Sequence, residues 1–226
     1  MTQSVEFMLL IAVAVVGFIV QSKLKSVFKK YSKVLFSGGM TGAQVAEKML
    51  RDNGIYDVKV THVSGQLTDH YNPSTRTVNL SEGVYSSNSV SAAAVAAHEC
   101  GHALQHAQGY APLKLRSSLV PITTFSSSFS FLFILGGMFL LHTSWAWLFW
   151  VGIGMLAVAA IFSLVTLPVE YNASRRAMAW IRSTHMMTSQ QEEQASEALS
   201  WAARTYLVAA ISAVVTLIYY LGIARD

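Results

Sequence analysis

Apolar residues in this chain gather into four long runs that alternate with two polar blocks. Residues 7–20 carry no polar side chain. This run is shorter than the ~20 residues that cross a bilayer, although Ser4–Val5 and Gln21–Ser22 extend it. Residues 119–141 and 145–167 each lack any charge and are joined by a short link at 142–144, which predicts a helical hairpin closed by Pro168. Residues 206–223 form the fourth run. Trp145, Trp147 and Trp150 stand where an interfacial aromatic belt is expected. Thr123, Thr124 and Ser126 to Ser128 make half of the second run polar, but their hydroxyls can bond back to helix carbonyls or to a neighbouring helix. The pattern predicts a mostly α integral membrane protein with four transmembrane helices.

The polar blocks carry their own periodicities. After a break at Ser37-Gly38-Gly39, Thr41 and Gln44 read as a capping box that opens a helix ending near Asn53-Gly54. Residues 56–63 alternate, with Val58 and Val60 set against Lys59 and Thr61, and predict a strand. A turn signal ends at Asn72-Pro73, and residues 76–80 resume as a second strand, so a small β-hairpin is expected. Its edge can bind an extended peptide through main-chain hydrogen bonds. Residues 86–89 offer serines as N-caps for the helix that follows. In the second block, helices are expected over 170–182 and 189–204. Five segments result: an anchor at 1–23, a polar segment at 24–118, the hairpin at 119–167, a second polar segment at 168–204, and a last span with a short tail at 205–226.

Composition and charge agree with this arrangement. Of the 226 residues 53% are hydrophobic and 12% are charged, about half the charge of an average soluble chain. The net charge of +4 could suggest nucleic acid, but its placement explains it better. With four spans the two polar blocks share one side, which then holds 15 of the 16 Lys and Arg, leaving only Arg225 on the other. The positive-inside rule puts that side in the cytoplasm and both termini outside. Residues 1–7 contain Glu6 and no Lys or Arg, so the first run reads as an uncleaved anchor, not a leader. The single cysteine, Cys100, excludes an internal disulfide.

The candidate chemistry lies in His98-Glu99-Cys100-Gly101-His102, preceded by an Ala-rich stretch that favours helix. Positions i and i+4 share a helix face, so both imidazoles can point at one ion. This is the HExxH arrangement, in which two His hold zinc and Glu99 serves as general base. Cys100 is about 200° round the helix from His98 and is a packing residue.

A catalytic zinc ordinarily takes three protein ligands. The three-His pattern fails, because Gln105 and Gln108 stand where it needs Gly and His. His106 rises about 12 Å beyond His98 and turns away, so it belongs to the helix end. Glu192, Glu193 and Glu197 are spaced like a solvated helix face. Glu170 follows Pro168 at the foot of an apolar run, where a lone carboxylate is costly unless paired or bound to metal. Glu170 is the expected third ligand. Ser174, one helical turn on, can hydrogen-bond a ligand. Arg175 and Arg176 are expected to meet lipid headgroups or acidic side chains.

The chain resembles the YugP-type bacterial membrane zinc metallopeptidases, of the gluzincin kind. The resemblance rests on Gly65 to Tyr71, Val95 to His106, Gly109 to Arg116 and Leu167 to Ala177, and covers nearly the whole chain. It implies a zincin-like α+β catalytic region, one Zn²⁺ per chain on His98, His102 and Glu170, and Glu99 as base. A wider group of membrane metallopeptidases, including HtpX and the CAAX-processing type, is similar too, but carries Asp where this chain has Ser174. The expected activity is metalloendopeptidase cleavage of polypeptides, such as membrane or misfolded proteins in quality control. His70, Tyr71 and Tyr206 are candidate oxyanion stabilisers; His185 lies about 22 Å from Glu170 along a continuous helix. The alternatives are a membrane scaffold with a structural zinc, which needs a fourth ligand, and an intramembrane protease. Against the latter, Glu99, His102, Gln105 and His106 interrupt any run of ~20 apolar residues.

Overall fold

All four apolar runs form helices in the computed structural model, which describes residues 3–141 and 143–225. These are α1 (Gln3–Tyr31), α5 (Ala111–Phe139), α6 (Trp147–Thr184) and α7 (Ser189–Arg225). Each is long and apolar enough to cross a membrane. Every one outruns the pattern that predicts it: α1 continues through the Lys-rich residues after 20, and α7 merges the helix expected at 189–204 with the fourth run. The link expected at 142–144 falls partly on His142, which lies outside the described residues.

Pro168 does not close the hairpin; α6 runs straight through it and absorbs the helix expected at 170–182. A proline inside a helix costs about 3 kcal/mol through one lost hydrogen bond and a ring clash. Unwinding the backbone in apolar surroundings exposes several polar groups at several kcal/mol each, so the helix persists.

The chain divides into two compact units. The first comprises Met1–Val20, Lys114–Pro168 and Thr205–Asp226. Ile134, Phe149 and Ile153 are buried there against Leu217 and Tyr220. Gly137 and Gly152 let α5 and α6 approach closely: a Cβ on Gly152 would lie 2.8 Å from the Ile134 nitrogen, and one on Gly137 would strike the Phe149 backbone.

The second unit comprises Gln21–Leu113 and Val169–Arg204. In it α2 (Gly42–Asp52) begins with the expected capping box, in which Gln44 N donates to Thr41 Oγ1 at 3.3 Å and Thr41 N donates to Gln44 Oε1 at 2.9 Å. Ser89 caps α4 (Val90–Ala107) by accepting from Ala92 N at 3.2 Å. The alanines of α4 let it bury its first three turns against Val45, Ala46 and Met49 of α2. A short helix, α3 (Glu82–Tyr85), separates the sheet from α4.

Three strands form one sheet in the order β1-β3-β2: β1 (Lys59–Val63), β2 (His70–Asn72) and β3 (Thr77–Ser81). The expected hairpin between 56–63 and 76–80 is corrected here. β1 pairs with β3 in parallel, and the hairpin is made by β2 and β3. Local hydrogen bonds decide this. Asn72 Oδ1 accepts from the nitrogens of Ser74 (2.9 Å) and Thr75 (3.3 Å), folding 73–76 into a tight turn. Asp69 Oδ1 accepts from Ser81 N at 2.7 Å, so the chain crosses the end of β3 before it descends as β2. β2 is thereby an edge strand, and it packs against α4.

Candidate metal centre

Residues 98 and 102 lie one turn apart on α4, and their rings stand edge to face with centroids 4.9 Å apart. Across from them α6 supplies Glu170, whose Oε2 lies 3.3 Å from His98 Nε2 and 3.5 Å from His102 Nε2. The three donor atoms lie within 4.8 Å of one another, a grouping that can hold a metal ion. Glu170 is 1% exposed and His102 6%.

Each imidazole is oriented by a bond to its other nitrogen. His98 Nδ1 lies 3.1 Å from Ser174 Oγ. His102 Nδ1 lies 3.0 Å from Oε1 of Gln105, which is fully buried. Gln105 Nε2 donates to Val169 O (2.8 Å) and Asn172 Oδ1 (2.9 Å), and this fixes which end of the amide faces His102. A carboxamide oxygen only accepts, so His102 donates from Nδ1 to Gln105 and Nε2 is the nitrogen that faces Glu170. Two nitrogens and one carboxylate oxygen suit a borderline-soft divalent ion such as zinc.

Gly101 sets the distance between the helices. A Cβ there would sit 2.6 Å from Ala173 O and 3.1 Å from its Cα, both unyielding backbone atoms. Gly101→Ala gains about 1 kcal/mol of helix propensity but overpacks at a cost of about 1–3 kcal/mol. The expected result is a lower melting temperature together with weaker metal binding, because Glu170 moves away with α6. A variant that melts higher and binds metal as tightly as the parent would show that this close approach does not position Glu170.

Glu99 is buried against β2, where its Oε2 accepts from Tyr71 N at 2.9 Å. Burial pushes its carboxyl up to about 7; His98 opposes the rise, while the charges of Glu170 and Asp69 add to it and the Tyr71 N–H favours the carboxylate. Burial likewise raises the Cys100 thiol, whose Sγ packs against Ala46 O, as expected of a packing residue.

The remaining candidates are spread out. Tyr71 directs its hydroxyl to His106 Nδ1 at 2.7 Å, and burial keeps that phenol protonated. His70 is its neighbour in β2 and points to the other face of the sheet. There its ring meets Asn79 Nδ2 and Thr68 O. Tyr206 belongs to the other unit. Glu197 is half-buried and accepts from the Tyr31 hydroxyl. Arg176 meets two amides: Nε donates to Asn172 Oδ1 (2.7 Å) and Nη1 to Gln108 Oε1 (2.6 Å). Gln105 and Asn172 are the site residues that sequence reasoning missed. The available signal was a Gln one turn past His102, which served only to reject the three-His pattern.

The family described as "Putative neutral zinc metallopeptidase" matches residues 6–225. The chain is 45% identical over 215 residues to "Putative membrane protease YugP" of Bacillus subtilis (strain 168), covering 95% of this chain and 94% of that protein. No solved structure matches.

Proposed function

The chain belongs to this zinc metallopeptidase family, and from that premise we propose that it hydrolyses peptide bonds, with His98, His102 and Glu170 holding one zinc ion and Glu99 acting as general base. The observation that carries this reading is the buried His98–His102–Glu170 cluster with Glu99 beside it. When bound, zinc supplies a Lewis acid that polarises a carbonyl and brings the pKa of water down to ~7. Glu99 takes the proton of the attacking water and returns it to the departing nitrogen. Burial raises its carboxyl, which favours uptake of that proton. Tyr71 N–H holds that carboxylate in place. Ser174 and Gln105 keep the two imidazoles in register.

The substrate is a polypeptide in extended form, lying along the free edge of β2 beside Glu99. The Lys and Arg distribution supports a cytoplasmic site, with the termini outside a bacterial inner membrane. Membrane or misfolded proteins are the substrates such a site would reach, which suits quality control.

The purified protein in detergent should contain one zinc per chain and cleave an unfolded protein. Chelation should abolish cleavage and added zinc restore it. Zinc content without cleavage of any unfolded substrate would favour a scaffold with a structural metal, and no zinc at all would overturn the assignment.

A further inference from the structure

A cavity of about 320 Å³ lies between the far end of α4 and the turn end of the sheet. This is at the small end for binding pockets. Ile55, Val58, Ala103 and Ala107 form its apolar walls. Ala103 and Ala107 follow Glu99 at i+4 and i+8, so the cavity opens on the helix face that carries the base.

Tyr71 joins the two places. Its main-chain N–H holds Glu99, its ring lines the cavity, and its hydroxyl bonds His106, which lines the same wall. Main-chain N–H and C=O of one strand residue point the same way, so the free edge of β2 beside Glu99 also presents the Tyr71 carbonyl. A peptide added there places alternate side chains on the α4 side of the sheet.

The polar groups round the cavity are already engaged with one another. Arg76 pairs with Asp57 at the exposed side, and Tyr71 pairs with His106. A charged guest would have to break one of these pairs, whereas an apolar guest meets the alanines, Ile55, Val58 and the face of Tyr71 without loss.

We propose that this cavity is the subsite for one large apolar side chain of the substrate, next to the scissile bond, and that Tyr71 and His106 form its wall. The inference rests on the peptidase reading given above. It identifies Ala107 and Val58 as specificity determinants: both line the cavity, and the size of each sets the room in it.

The zinc-loaded full-length protein, Ala107→Leu, Val58→Ala and Glu99→Gln would each be given a peptide mixture, with cleavage sites read by mass spectrometry. In the parent, one position flanking the cut should be enriched in Leu, Met, Phe or Tyr. Filling the cavity with Ala107→Leu should lower kcat/KM for such peptides about 10-fold or more relative to their Ala counterparts. Its zinc content and melting temperature should be unchanged. Val58→Ala should shift preference the other way, toward larger rings. The same preference profile in all three active forms, or a preference for charged residues, would overturn the subsite. Cleavage equal in the parent and Glu99→Gln, or in neither, would overturn the peptidase reading and the subsite with it.

Discussion

Replacing Glu99 with Gln is expected to lower peptide cleavage about 10²–10⁴-fold, the range for removing a positioned acid–base group, while zinc content and fold are retained. The carboxamide keeps the shape of the side chain, and its oxygen can still accept from Tyr71 N, as Glu99 does at 2.9 Å. It cannot take up a proton. Because Glu99 is buried and its carboxyl is pushed up to about 7, exchanging it for a neutral isostere removes a costly buried charge instead of creating one. Loss of cleavage in this variant therefore reports chemistry, not unfolding. Metal analysis and kcat on one unfolded substrate decide it. Full activity in Glu99→Gln would remove Glu99 from the reaction.

Glu170→Gln should weaken metal binding more severely than any other single change in the cluster's surroundings. The Glu170 oxygen faces both imidazole nitrogens, at 3.3 and 3.5 Å, and is the only anion in the three-residue group. Removing a hydrogen-bonding partner of a ligand costs 10–100-fold in metal affinity, so loss of the anionic ligand itself should exceed about 100-fold. Competition against a chromophoric chelator measures this directly. Ser174→Ala, which removes only the partner of His98 Nδ1, is the internal scale. If Glu170→Gln bound zinc as tightly as Ser174→Ala, another group would have to be the third ligand.

Both variants probe residues that could be picked out before any fold was known, and for different reasons. His98 and His102 are legible because helix geometry turns a spacing of four into a shared face. Glu170 is legible because a carboxylate is expensive beside a long apolar run. Gln105 carried no comparable mark. A buried glutamine looks like any other glutamine until its three partners, on His102, Val169 and Asn172, are brought together across 64 and 67 residues of chain. The helix ends were misread where polarity changes, at Pro168 and near 204, because hydropathy reports the surroundings of a helix and not the continuity of its hydrogen bonds.

Sequence alone determined the four apolar helices, the caps of α2 and α4, and the shared helix face of His98 and His102, since each depends on interactions within a few residues or on bulk transfer energy. Tertiary structure alone decided the parallel pairing of β1 with β3, the approach of α6 to Gly101, and the network that aims His102. Strands of three to five residues carry too little pattern to specify a partner. Contacts between helices distant in sequence depend on packing, which a linear pattern does not encode.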